Sequence, residues 1–118
     1  MRVVCIDPQS AIPGGAGAAN PWLTMNREYD VLEIYAFPGA DVQLRVRSDD
    51  GSIPALFDSA SFMTVDGALP ERLIVQVQEG GVLRIGPASW MVPGFWEAYF
   101  DKSPDAVETY EREVRPTD

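Results

Sequence analysis

The stretch Arg72-Leu73-Ile74-Val75-Gln76-Val77-Gln78-Glu79-Gly80-Gly81-Val82-Leu83-Arg84-Ile85 decides the fold class. Leu73, Val75 and Val77 fall on one side of a two-residue period, with Gln76 and Gln78 on the other. That period belongs to a β-strand with one covered and one wet face, and it turns Leu73, Val75 and Val77 inward. Glu79-Gly80-Gly81 supplies residues that tolerate positive φ, so the chain returns along Val82-Leu83-Arg84-Ile85 as the second arm of a hairpin.

The same pattern recurs upstream. Asp41 to Arg47 alternates, with Val42, Leu44 and Val46 on one face and Gln43, Arg45 and Arg47 on a solvated one. In Val31-Leu32-Glu33-Ile34-Tyr35-Ala36, Leu32 and Ile34 point inward and Glu33 faces water. Pro38-Gly39 and Asp49-Asp50-Gly51 mark turns after these two strands. Arg2 to Asp7 and Phe62 to Val65 add short strands. Close spacing of short strands implies a small SH3-like barrel or a bent antiparallel sheet.

The period changes near the C-terminus. Gly94 to Phe100 reads as a short helix. Ser103-Pro104-Asp105 is a helix start, with a hydroxyl N-cap, proline at the first position and an acid at the positive dipole end. Val107, Tyr110 and Val114 then recur at helical spacing, and Glu108–Arg112 and Glu111–Arg115 are i,i+4 pairs. The fold expected is mainly β with C-terminal helices (α+β). At 118 residues it forms a single domain over 1–118. Within it lie a Pro/Gly-rich loop at 8–21, a β core at 23–86 and a helical cap at 94–115.

Composition narrows the function. The chain has no histidine, one cysteine, 18 acids and 9 bases, for a formal charge of -9. It lacks the commonest general base and metal ligand. One cysteine forms no internal disulfide, and no apolar run reaches the length of a signal core or membrane span, so cytoplasmic residence is expected. The negative charge repels phosphate, which argues against nucleic acid and anionic membrane as partners. It favours a basic protein partner.

Motifs that could carry chemistry are weak. Gly15-Ala16-Gly17-Ala18-Ala19-Asn20 nearly spells a dinucleotide fingerprint, but Pro21 stands where the phosphate-binding helix should continue. Cys5 sits between Val4 and Ile6 in a chain without histidine, the setting of a core thiol rather than a nucleophile. Glu97 and Asp101 share a helix face, as paired carboxylates can in acid–base catalysis, yet such pairs are ordinarily solvated charge. No catalytic, cofactor-binding or metal-ligating residue is therefore expected. Trp90, Phe95, Trp96, Tyr99 and Phe100 crowd five rings into eleven positions, as a lid on the β core or as binding anchors. Around them cluster Glu97, Asp101, Asp105, Glu108, Glu111 and Glu113.

One resemblance joins these features. Leu23-Thr24, Arg27, Tyr29-Asp30-Val31-Leu32, Arg45 to Arg47, Asp49-Asp50-Gly51, Pro54-Ala55-Leu56-Phe57 and Phe62 resemble small bacterial SH3-like immunity-type proteins. Trp90, Pro93-Gly94-Phe95-Trp96-Glu97 and Phe100-Asp101 resemble the segment that closes that group, so the likeness spans about 23 to 110. It implies a non-catalytic protein that binds a cognate toxin with a basic surface and neutralises it by occlusion. The residues left to meet the partner are Trp90, Trp96, Glu97, Asp101, Asp105, Glu108 and Glu111, with Asp49 and Asp50 on the turn. The alternative is a non-catalytic adaptor or structural interaction module of a bacterial or phage system.

Overall fold

The structure is a computed structural model and describes residues 1–8, 22–49 and 54–114. The strands are β1 (Arg2–Cys5), β2 (Glu28–Asp30), β3 (Glu33–Ala36), β4 (Gln43–Arg47), β5 (Pro54–Asp58), β6 (Phe62–Asp66), β7 (Leu73–Gln78) and β8 (Val82–Pro87). Helices α1 (Phe95–Phe100) and α2 (Pro104–Val114) follow. The strands form two antiparallel sheets, β2-β1-β6 and β5-β4-β3-β8-β7. The chain is thus mainly β with two C-terminal helices. The described strands make two sheets with free edges rather than one closed barrel. The Gly-rich motif at 15–20, Asp50 with the rest of its turn, and Arg115 lie outside the described residues.

Register assigns the two faces of the larger sheet. Val75, Ile85, Ile34, Leu44 and Phe57 stand side by side across five strands. On the other face, Gln76, Arg84, Tyr35, Gln43 and Asp58 form one row, and Glu33, Arg45 and Leu56 the next. The small sheet covers the apolar face, where Val3, Cys5, Tyr29, Leu44, Val46, Phe57 and Phe62 are buried together. Cys5 is packed in this core, and burial pushes its thiol pKa above the ordinary value.

Helices and aromatic rings cover the opposite face. Trp90, Phe95, Ala106 and Tyr110 form a second buried cluster, with Trp96 and Tyr99 against it. Gly94, at φ +80°, turns the chain into α1. A left-handed residue ends that helix: Lys102, at φ +62°, donates its N–H to Tyr99 at 2.9 Å, while the Ser103 N–H reaches the Ala98 carbonyl at 2.9 Å. This is a Schellman closure with lysine in the usual glycine place. Arg72 ties α2 to the start of β7, bonding the Glu113 carboxylate at 3.0 Å and its carbonyl at 2.8 Å.

Three expectations about side-chain direction are corrected. Glu33 does not face water: it is 1% exposed. Arg45 is not on a wet face either; it is buried beside Glu33. Both face the aromatic cluster, so the sheet is covered on both sides. Val75 and Val77 do not point into a core: they are 62% and 71% exposed. They lie on the edge strand β7, and from the larger sheet the buried cluster takes Leu44 and Val46 of β4 and Phe57 of β5 instead, with Ile34 of β3 packed against it.

Candidate functional site

The unusual chemistry lies beneath the aromatic cluster. Glu33 on β3, Arg45 on β4 and Arg84 on β8 form a buried ionic triad. Arg45 Nε donates to Glu33 Oε1 at 2.7 Å. Arg84 Nε and Nη2 donate to Oε2 at 2.9 and 2.6 Å. The Trp96 indole N–H closes the set on Oε1 at 2.9 Å. The arginines also reach backbone: Arg45 Nη1 bonds the Pro54 carbonyl, and Arg84 Nη2 the Trp90 carbonyl. The Arg45 guanidinium lies 3.9 Å from the centre of the Trp96 ring, a close cation–π contact. Gly86 makes room for all this, because a Cβ there would stand 2.9 Å from Glu33 Cγ.

A cleft of about 400 Å³ opens beside the triad, between the polar sheet face and residues 91–97. Arg84, Tyr35, Gln76 and Gln78 form its sheet side, with Trp90 and Trp96 at the helical side and Glu97 among its lining residues. Arg84 lies 5.1 Å from the centre of the Tyr35 ring. Burial, and then the Glu33 charge, raise the Tyr35 pKa, so its hydroxyl stays protonated.

A second depression, of about 280 Å³, shares Val92, Pro93, Gly94 and Phe95 with the cleft. That four-residue ridge therefore has Glu97 in the hollow on one side and Asp105 in the hollow on the other. Val92 on it is exposed. On α2, Ala106 and Tyr110 point inward while Asp105, Glu108 and Glu111 are exposed. Arg112 partly offsets this charge, 3.6 Å from Glu108. Asp101 caps the end of α1 and is exposed.

The structure thus gathers Glu97, Asp101, Asp105, Glu108 and Glu111 on one helical segment, exposed. Trp90 is only 1% exposed and contributes a cleft wall rather than a protruding anchor. Trp96 is half-buried and engaged by Glu33 and Arg45. Asp49 is placed elsewhere: its carboxylate accepts from the Tyr29 and Thr24 hydroxyls and pairs with Arg27 at 3.3 Å, which fastens the segment after residue 22 to the end of β4. Asp50 is outside the described residues.

Sequence reading passed over Glu33, Arg45, Arg84, Tyr35, Gln76 and Gln78, the residues that make the triad and the sheet side of the cleft. A signal was present: oppositely charged residues on one face of neighbouring strands, in a chain with surplus aromatic rings to cover them. Among the described residues, no three acids or thiols converge as metal ligands, and no helix is long and apolar enough to cross a membrane. Comparison with protein-family models, curated proteins and solved structures finds no match.

Proposed function

We propose that this protein acts by occupying a basic partner protein, and that its C-terminal helical segment is the docking face. One observation carries the reading. The buried carboxylate, Glu33, is consumed by two arginines, while Glu97 and Asp105 border the Val92–Phe95 ridge and Asp101, Glu108 and Glu111 stand in solvent on the same helical segment. Exposed like charges speed encounter with an opposite surface, and a small apolar ridge between them supplies a desolvated centre. The immunity-type form of this proposal has the partner as a toxin whose basic groove is occluded. Kinship with SH3-like immunity proteins would rest on the five-stranded sheet and the segment at 90–101.

A second reading is favoured by the exposed edge of β7. An adaptor needs two surfaces, and β7 offers one apart from the acidic segment: an edge that no other described strand pairs with, where Val75 and Val77 are exposed. Co-expression with a toxic product of a neighbouring reading frame separates the two. Growth rescue that is lost in the Glu108→Lys/Glu111→Lys variant supports occlusion through α2. A stable complex without rescue supports the adaptor. Association of the charge-reversed variant should slow about tenfold at low salt and show a flatter salt dependence; unchanged kinetics refute the docking face.

A further inference from the structure

The buried charges do not balance. Among the described residues, the buried ionised side chains are Glu33 at 1%, Arg45 at 6% and Arg84 at 7% exposure, one carboxylate against two guanidiniums. One positive charge is left over in a place shielded from water. A lone buried charge is costly unless something compensates it. This surplus sits in an otherwise acidic protein, so it is not a by-product of general basicity.

The surplus borders the cleft. Arg84 spends Nε and Nη2 on Glu33 and Trp90, which leaves Nη1 without a hydrogen bond to a described residue. Arg84 and Tyr35 both line the cleft. Gln78 Nε2 donates to the side-chain Oε1 of Gln76 at 3.0 Å, so the Gln76 side-chain Nε2 remains a donor there. Arg84 and Gln76 thus bring donors to the cleft, Gln78 keeps its side-chain amide oxygen as an acceptor, and Tyr35, Phe95 and Trp96 are among the lining side chains. The one acid lining the cleft, Glu97, is exposed, so water weakens its repulsion of an anion without abolishing it.

We propose that this cleft binds a small aromatic carboxylate, its anionic end on Arg84 and Tyr35 and its ring against Trp96 and Phe95. The carboxylate supplies the missing counter-charge through charge-assisted hydrogen bonds, and the ring fills a space of the size that takes one small molecule. The cleft shares Glu97 and the Val92–Phe95 ridge with the proposed docking face but selects the opposite charge.

The test uses the full chain at low salt, with benzoate and indole-3-acetate as probes. Benzamide serves as the uncharged match to benzoate, and acetate as the anion without a ring. Tryptophan fluorescence and thermal midpoint are both read. The aromatic carboxylates should quench saturably and raise the midpoint, with benzamide weaker by about tenfold or more, the worth of one charged hydrogen bond. Glu97→Gln, at an exposed site that leaves the fold intact, should tighten benzoate by about two- to fivefold. Tyr35→Phe should weaken it by about threefold or more. Equal responses to benzoate and benzamide, equal responses to acetate and benzoate, or none up to about 10 mM overturn the proposal. So does a Glu97→Gln variant that leaves benzoate affinity unchanged.

Discussion

Glu33→Gln isolates the charge that holds the centre of the molecule together. Glutamine keeps the shape of the side chain and one carbonyl oxygen. It removes the negative charge from a site 1% exposed and turns an N–H₂ group toward at least one guanidinium donor. Arg45 and Arg84 are then two buried cations without a counter-ion. Breaking a buried pair by deleting one partner costs about 3–5 kcal/mol. Here two pairs share one carboxylate, so the loss should reach at least about 4 kcal/mol, although the two do not simply add. Total stability for a domain of this size is about 5–15 kcal/mol. With a urea slope of about 2 kcal/mol per molar, the midpoint should fall by about 2 M, read from tryptophan fluorescence. The triple replacement Glu33→Met/Arg45→Met/Arg84→Met removes all three charges and should recover most of that loss, because apolar groups need no desolvation. A midpoint shift under about 0.5 M for Glu33→Gln refutes this account. A triple variant as unstable as the single one does the same.

Gly86→Ala attacks the triad sterically: its methyl would stand 2.9 Å from Glu33 Cγ and 3.0 Å from Oε2, and urea unfolding should show a loss of about 1–3 kcal/mol. Tyr110→Phe should be neutral or stabilising by about 1 kcal/mol, since the buried hydroxyl has no hydrogen-bond partner. The same residue sets an alkaline limit. Burial pushes its pKa up to about 12, whereas an unfolded tyrosine titrates near 10. The folded state therefore holds the proton more tightly. Stability from this group is intact below about pH 10 and declines as pH rises toward 12; in Tyr110→Phe, the fall in thermal midpoint over that window should be shallower. Lys102→Gly relieves a lysine held at φ +62° and should raise stability by about 0.5–1 kcal/mol in the same urea assay; a loss would show that the lysine side chain holds the α1–α2 junction.

The sequence by itself determined most of the elements, though not β2 and β5, which carry no strand pattern of their own. Period-two alternation marked β4 and β7, Gly80-Gly81 marked the hairpin that returns as β8, and Ser103-Pro104 marked the start of α2, because each signal is local and acts through backbone geometry within a few residues. The acidic surface was equally legible, since exposed charge on α2 follows from helical spacing around Val107, Tyr110 and Val114. Which strand faces are wet was decided only in the tertiary structure. Alternation states that two faces differ; it does not state what covers each. Glu33 is dry because Trp96, 63 residues later, donates to it, and because Arg84, 51 residues away, reaches it from β8. Val75 is wet because β7 falls at an edge of the larger sheet. Strand order and the docking of the helices created the buried triad and the cleft beside it, and both depend on contacts between segments that no local pattern connects.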